Sequence, residues 1–472
     1  MPDHDYPYSF ERSHTAAQIR ERFGSLEPSS DTGEQARVAG RVRTVRTHGK
    51  VAFADLEDGS GRIQLFAQHA LLGDDGMEAF ARLNVGDIAG AEGEIVITRR
   101  GELSVRVTST AVLAKCLRPL PEKWHGLTDV EVRHRHRYLD LLFNPEARAT
   151  LDARAAANHE IRRFLNERGF LEVETPLLQP VAGGAVARPF VTHLNALDID
   201  LYLRVAPELY LKRLLIGGAE RVYELNRSFR NEGVSARHNP EFTMLEAYEA
   251  YVDYHSTMSL VEELVRAIAT AVIGTTTVDL AGERIDLAQP FRRISMFDAL
   301  REAAGIDLEE AWKRGDRDAL RAAAREANVG DDLPTGVLVA ELFEAVVEKK
   351  LLQPTFVTGF PKDVSPLAKD HREIDGFTEH ADLVMGGVEM APIYSELNDP
   401  EEQRRRFEQQ VRAREEGAEE VALPDEEFLE ALSYGMPPAG GFGLGIDRLL
   451  AFLLGLGSIR EAILFPVLKP DR

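Results

Sequence analysis

Between Arg221 and Tyr251 the chain reads RVYELNRSFRNEGVSARHNPEFTMLEAYEAY, two alternating runs on either side of a polar, charged loop. In the first run Tyr223, Leu225, Arg227 and Phe229 face one way, and Glu224, Asn226, Ser228 and Arg230 the other, the period of two expected of strands. The second run gives Phe242, Met244, Glu246 and Tyr248 a common face. A strand hairpin of this kind commits the chain to an antiparallel sheet. A face holding Arg230, Glu246, Tyr248 and Phe242 makes poor core, because charge without a partner is costly in apolar surroundings. It suits a pocket for a ligand that is both charged and aromatic.

A chain of 472 residues predicts two to four domains, and 44% apolar with 28% charged residues is ordinary for a globular protein. The single cysteine, Cys116, excludes a disulfide framework. MPDHDYPYSF lacks a basic and then apolar leader, and no apolar run approaches about 20 residues, so a cytoplasmic location without membrane contact is expected. The net charge of −22 is uneven. Residues 1–140 hold 19 Lys+Arg against 21 Asp+Glu, or −2, and residues 141–472 hold 37 against 57, or −20. An acidic body of this kind binds nucleic acid only through a locally basic face.

Residues 1–33 read as an extension with a short helix over Thr15 to Phe23. From Ala36 the pattern becomes short alternating runs, VAGRVRTVR, VAFADLED, GRIQLFAQ, IAGAEGEIVITRR and ELSVRVTST, separated by turns. Five such strands over 34–115 predict a barrel of the OB type, a platform on which aromatic side chains stack on single-stranded bases. Residues 116–140 carry two prolines and the cluster Arg133, His134, Arg135, His136, Arg137, and read as a hinge with a candidate contact to nucleic-acid backbone. The rest, 141–472, reads as an α+β domain. A helix is expected from Asn144 to Arg168, stopped by Gly169, then a strand in FLEVETP. A strand at 200–205 leads to Pro207 opening a helix with Glu208 in its first turn. A helical insertion is expected over about 267–330, and a charged, solvated helix over 401–420.

The run ADLVMGGVEMAPIYSELND predicts a second hairpin, turned at Gly386-Gly387. A two-residue turn opposes Met385 to Val388, Val384 to Glu389, Leu383 to Met390 and Asp382 to Ala391. Asp382 and Glu389 then become diagonal neighbours on one side, a carboxylate pair suited to magnesium that bridges substrate phosphates. Glu396 lies an odd interval after Glu389, so the alternation must break if both are to face one pocket. Pro392 is the expected place for a bend that returns Tyr394 and Glu396 to it.

FRNEG followed by RHNPEFTMLE resembles motif 2 of the class II aminoacyl-tRNA synthetases; GFLEVETPLLQP at 169–180 resembles motif 1 and GFGLGIDRLL at 441–450 motif 3. With APELYLKR at 206–213 and YSELNDP at 394–400, the chain is similar to bacterial class II lysyl-tRNA synthetases from roughly Arg37 to Pro470. The resemblance implies an N-terminal five-stranded OB-type barrel that reads the anticodon through Phe53, Gln64 and Glu102, and a class II antiparallel-sheet catalytic domain with flanking helices. It implies a homodimer that activates L-lysine with ATP and magnesium and passes it to tRNA(Lys). Arg230 would hold the α-phosphate and the substrate carboxylate, Glu232 the adenine amino group, Arg237 and His238 the pyrophosphate side, Phe242 the adenine face and Arg448 the γ-phosphate. Asp382 and Glu389 would hold magnesium. Glu208 would take the α-ammonium beside Gly184, and Glu246, Tyr248, Tyr394 and Glu396 would surround the side-chain ammonium.

Pro392 and Ile393 depart from the family pattern, which commonly has a polar and then a small residue there. That departure keeps open a paralogue that activates a lysine analogue for another acceptor, although such paralogues lack the barrel. Aspartyl- and asparaginyl-tRNA synthetases share the plan, but three acidic groups, Glu208, Glu246 and Glu396, point to a cationic substrate. A non-catalytic tRNA-binding descendant would be expected to lose Arg230, Arg448 or a metal carboxylate, and all are present. No GxxxxGK[ST] loop occurs.

Overall fold

A computed structural model describes residues 6–121, 127–185, 187–280, 282–330, 332–415 and 424–470. The chain divides into two compact units, which meet in sequence at His125/Gly126.

The first unit opens with α1 (Ala16–Phe23), whose N-cap Thr15 accepts from the Gln18 backbone while the Gln18 side chain bonds back to the Thr15 N–H. Ala16 and Ile19 of this helix are buried in the core of the following barrel. Its strands are β1 (Asp31–His48), β2 (Val51–Asp58), β3 (Gly61–Gln68), then α2 (His69–Ala81), β4 (Ile88–Ile97) and β5 (Leu103–Ala114). They close in the order β1-β2-β3-β5-β4, which removes every sheet edge.

The second unit begins with α3 (Val130–Arg135), α4 (Arg137–Phe143) and α5 (Pro145–Glu167). The basic cluster of the expected hinge lies on α3 and α4 and is spent internally. Arg133 and Arg137 both bond Asp140, Arg135 bonds Glu131, and the buried Arg137 also donates to the Leu464 and Ile463 carbonyls. Next come β6 (Leu171–Glu172), β7 (Leu178–Gln179), β8 (Phe190–Leu194), β9 (Ile199–Leu203), α6 (Glu208–Ile216), β10 (Arg221–Phe229), β11 (Glu241–Ala250) and α7 (Tyr254–Ile273).

The stretch expected to be a helical insertion contains β12 (Thr277–Leu280), β13 (Glu283–Asp286) and β14 (Arg292–Ser295) before its helices α8 (Met296–Ala304), α9 (Glu309–Lys313) and α10 (Arg317–Glu326), and α11 (Thr335–Val346) follows it. Val278, Ile285 and Leu287 are buried in the same core as α7, so beyond the end of α7 the segment continues as a hairpin, not helix. The chain closes with β15 (Thr355–Pro361), β16 (Phe377–Met385), β17 (Val388–Ser395), α12 (Pro400–Glu415), α13 (Glu426–Ser433), β18 (Ala439–Gly445), α14 (Ile446–Leu453) and α15 (Ile459–Ala462). The solvated-face expectation for 401–420 is corrected in its described part. Gln403, Arg406 and Phe407 of α12 are buried, and Arg406 donates to the carbonyls of Ser365 and Ala368. Residues 416–420 lie outside the described residues.

The large sheet runs β14-β15-β16-β17-β18-β11-β10-β6. Alternation assigns its two faces. Tyr223, Leu245, Ala247, Ala381, Leu383, Ala391, Ile393, Phe442 and Leu444 face a core that holds Ile161, Phe164 and Leu165 of α5 and Met258, Val261, Leu264, Val265 and Ile268 of α7. Residues of opposite parity are left for the other face. The expected strand in FLEVETP pairs only at Leu171–Glu172; beyond it Thr175 donates to Glu224 at 2.6 Å. Glu224 also takes Arg204 Nη1 at 2.8 Å, and both side chains are almost wholly buried. Arg204 Nη1 also donates to Thr175 Oγ1, which joins the small sheet β7-β9-β8 to the large one.

Replacing Glu224 by Ala leaves Arg204 buried without its carboxylate and is expected to destabilise this unit by about 3–5 kcal/mol in urea unfolding. Glu249→Ala, which breaks the exposed pair with Arg221, is expected to cost no more than about 1 kcal/mol. Equal losses would contradict this account of the sheet junction.

Candidate functional site

The open face of the large sheet is a trough with a glycine floor. In the β11–β18 ladder Met244 opposes Gly445, Glu246 opposes Gly443 and Tyr248 opposes Gly441; across β18, Tyr394 also opposes Gly441. Directly opposed residues share a face. The side chains of β11 and β17 thus rise on either side of a strand whose trough face carries only glycines from Gly441 to Gly445. A Cβ on Gly441 would lie 2.3 Å from Glu396 Oε1 and 2.5 Å from the Tyr248 ring. On Gly443 the nearest atom would be 3.6 Å away, so a side chain there would stand in the trough itself.

The β10–β11 register places Glu224, Asn226 and Ser228 opposite Glu246, Met244 and Phe242, as the alternation predicts. The β16–β17 hairpin needs a correction. Gly386 and Gly387 form the turn with φ of 60° and 71°, and Met385 opposes Val388 and Val384 opposes Glu389 as expected. Then Leu383 opposes Ala391, not Met390, and Asp382 opposes Pro392, not Ala391. The extra residue that breaks the alternation is therefore Met390, two positions before the expected bend, and Pro392 sits in regular pairing. This bulge turns Met390 into the core and puts Glu389, Pro392 and Tyr394 on the face of Asp382 and His380. Ile393 points the opposite way, wholly buried in the core, and so cannot touch a ligand in the trough.

One end of the trough is lined by Arg230, Glu232, Arg237, His238, Phe242, Gly443, Gly445, Arg448 and Glu389, among others. The Arg230 guanidinium stands 5.2 Å from the Phe242 ring centre, and its buried Nε has no hydrogen-bond partner among the described residues. A buried donor left in this state is the mark of a missing acceptor. Arg448 Nη1 donates to the Glu389 carbonyl at 3.0 Å, and Nη2 lies 3.3 Å from His238 Nε2. Burial first, then the Arg448 charge, lower the His238 pKa, so it stays neutral beside three arginines. The motif 3 residue Asp447 accepts from the Thr243 N–H and from Arg154 of α5, which anchors this end to the long helix.

The other end is lined by Gly184, Glu208, Arg230, Glu246, Tyr248, Ser365, His380, Asp382, Glu389, Pro392, Tyr394 and Gly443. Gly184 has φ of +88°, and a Cβ there would press on Glu208 Cβ at 3.1 Å. Tyr248 donates to Glu246 Oε2 at 3.0 Å. Burial, with the charge of Glu208, pushes the Glu246 pKa up to about 8. Glu396, expected on the wall, lies below it at 1% exposure, 2.5 Å from Lys212 Nζ; Lys212 is itself fully buried and also bonds Glu208 at 2.6 Å. Glu396 Oε1 meets no donor among the described residues. Burial raises the Glu396 pKa to about 7 against the opposing effect of Lys212.

Between the two ends lie Asp382 and Glu389. His380 joins Asp382 through Nε2 at 2.8 Å and Ser365 Oγ through Nδ1 at 2.7 Å, and its ring packs 4.0 Å from Phe360 and 4.5 Å from Tyr394. If Nε2–H donates to the carboxylate, the Ser365 hydroxyl must donate to Nδ1. Glu389 sits deep in the trough with 41% of its side chain accessible; burial and the Asp382 charge raise its pKa. Two carboxylates that repel each other on one open face fit a divalent cation, although no group of three or more metal-type side chains occurs among the described residues. Magnesium takes one or two carboxylates and draws its remaining ligands from water and substrate phosphates, which this pair allows.

Lys212, Arg204, His380 and Ser365 escaped the sequence reading. Only Lys212 carried a local signal, four residues after Glu208 on one helix face.

On the barrel, Phe53 opposes Phe66 with rings stacked at 5.0 Å, and Gln64 opposes Asp55 and Ser104, so Phe53 and Gln64 share an outer face. Glu102 is exposed just before β5.

Residues 129–469 match a family described as tRNA synthetases class II (D, K and N), and residues 36–113 match one described as an OB-fold nucleic acid binding domain. The chain belongs to the class II tRNA synthetases. It is 50% identical over 467 residues to a protein of Moorella thermoacetica named lysine–tRNA ligase, covering 98% of this chain and 94% of that one. Proteins of the same name from Carboxydothermus hydrogenoformans and Syntrophomonas wolfei are 49% and 50% identical, with 98% of this chain covered and 94% and 92% of theirs. As a class II synthetase the chain is a ligase built for aminoacylation.

Gly441→Ala in this synthetase is expected to force Glu396 or Tyr248 aside and to lower stability by about 1–3 kcal/mol, the usual cost of overpacking. Gly443→Ala is expected to leave unfolding unchanged and to abolish ATP–pyrophosphate exchange by filling the trough. Unfolding curves and exchange rates for both variants check this, and the reverse order of effects would contradict it.

Proposed function

We propose that the chain joins L-lysine to tRNA(Lys) for protein synthesis through a lysyl-adenylate, as a cytoplasmic homodimer that uses ATP with magnesium. The observation that carries the reading is the charge of the amino-acid end. Glu208, Glu246 and Glu396 are set against one internal cation, Lys212. With all three ionised, two negative charges remain, and L-lysine brings two ammonium groups. An acidic side chain would meet repulsion there, and a neutral amide would leave the buried carboxylate charge unbalanced. In this reading Glu208 takes the α-ammonium, and Glu246, with Tyr248, Tyr394 and the free Oε1 of Glu396, takes the side-chain ammonium.

Arg230 lines both ends of the trough, where its planar fork can hold the lysine carboxylate against the α-phosphate. A carboxylate oxygen then attacks the α-phosphorus, the bond to the bridging oxygen breaks, and pyrophosphate leaves toward Arg237, His238 and Arg448. Phe242 offers its ring to adenine and Glu232 accepts from the adenine amino group. A terminal adenosine hydroxyl of the tRNA next attacks the lysyl carbonyl, and AMP departs. Neither step uses a side-chain nucleophile; alignment and charge neutralisation supply the acceleration. Asp382 and Glu389 would hold magnesium, which when bound offsets phosphate charge.

Phe53, Gln64 and Glu102 are proposed to read the anticodon on the barrel. The exposed Leu171, Leu177, Leu178, Val191, Leu197 and Ile199 on and near β6, β7, β8 and β9 support pairing with a second copy. No helix among the described residues is long and apolar enough to cross a membrane. Nothing favours the analogue-activating alternative, since Ile393 faces the core and the barrel domain is present.

ATP–pyrophosphate exchange with all twenty amino acids, β-lysine and ornithine tests the reading. Exchange is expected with L-lysine, and Arg230→Lys is expected to lower it by about 100-fold or more, as loss of a bidentate charge clamp does. Exchange confined to an analogue would contradict the assignment, and a near-normal Arg230→Lys rate would remove the role given to Arg230.

A further inference from the structure

Lys212 has no exposed surface and does not line the cavity. Its Nζ lies 2.6 Å from Glu208 Oε1 and 2.5 Å from Glu396 Oε2, so one ammonium group ties the first turn of α6 to the residue that follows β17. No other side-chain donor reaches either carboxylate among the described residues. The remaining cations nearby do not reach these carboxylates. Arg204 is matched by Glu224, and Arg230 stands over Phe242 at the junction with the other end. Burial opposes the charge on Lys212, but the two carboxylates outweigh it and hold its pKa above that of a free lysine.

Remove this cation, and three carboxylates face the two cations of the substrate, with Glu208 and Glu396 no longer fixed relative to each other. The receptor for the α-ammonium would then drift from the floor of the side-chain pocket. The distance between these receptors is what measures the length of the amino acid.

We propose that Lys212 is a positioning and specificity residue: it locks Glu208 to Glu396 and leaves the lysine-bound pocket with two unbalanced carboxylates, the number of ammonium groups that L-lysine carries. The inference rests on the reading of this cavity as the amino-acid site. It assigns Lys212 no contact with substrate, so its effect must pass through the two carboxylates.

The test is steady-state ATP–pyrophosphate exchange with the full chain in wild type, Glu246→Gln, Lys212→Met, Glu396→Gln and the double variant K212M/E396Q. Lys212→Met is expected to raise the KM for L-lysine about 30-fold or more, as truncating one partner of a buried charge pair does, with the KM for ATP unchanged. In the Glu396→Gln background, where the charge count returns to two, the same substitution is expected to raise the lysine KM less than about tenfold, the non-additivity of residues in contact. A wild-type lysine KM in Lys212→Met, equal increases for lysine and ATP, or the same factor in both backgrounds would each overturn the inference. Should Lys212→Met not fold, the double variant decides: a lysine KM less than about tenfold above that of Glu396→Gln supports it, and a larger rise overturns it. Glu246→Gln separates the two levels, because an unchanged lysine KM in that variant would remove the pocket reading itself.

Discussion

Burying carboxylates on a sheet face is tolerable only if cations come to them, and that requirement organises the catalytic unit. Glu224 is satisfied by Arg204 and Thr175, and Lys212 pairs with Glu208 and with one oxygen of Glu396. Among the described residues Glu246 receives only the hydroxyl of Tyr248, and its raised pKa records the deficit. The deficit is located where an amino acid would sit. The opposite deficit, a buried Arg230 Nε without an acceptor, lies where phosphate would sit. A trough with unmet negative charge at one end and unmet positive charge at the other suits the proposed pairing of a cationic amino acid with a polyanion.

Two backbone devices make the trough possible. The glycines of β18 open its floor, and Gly441 in particular leaves room for Glu396 and Tyr248 to meet over the strand. The bulge at Glu389–Met390 shifts parity by one residue, so that Glu389 and Tyr394 share a face even though they are five positions apart. Without it Glu389 would oppose Val384 while Tyr394 turned to the core. On the reverse face the aliphatic residues of the same strands pack on α5 and α7, which gives the site a rigid backing.

Much of this was legible because alternation is a local code. The β10–β11 face, the Gly386-Gly387 turn, the five-stranded barrel and Thr15 as a helix start all follow from residues near one another in sequence. The bulge was anticipated but misplaced at Pro392, because proline is a visible interruption while the shift at Met390 answers to the core beneath it. The hairpin of β12 and β13 was hidden by the helical composition around it. The pairings of Lys212 with Glu396 and of Arg204 with Glu224 span strands remote in sequence, so no periodicity displays them. Likewise the arginines of α3 and α4 were only a candidate contact to nucleic-acid backbone, and which acidic group and carbonyls they pair with is decided by Asp140 and by residues near the C-terminal end.

The central claim is that the empty amino-acid pocket lacks positive charge, and calorimetry of L-lysine binding tests it most directly. With a pKa of about 8 in the empty pocket, Glu246 is mostly protonated at pH 7, and an arriving ammonium lowers that pKa and expels the proton. Titrations at pH 7 in buffers of different protonation enthalpy should therefore show release of roughly one proton per lysine bound, lost for the most part in Glu246→Gln. A binding heat that is the same in every buffer would contradict the account.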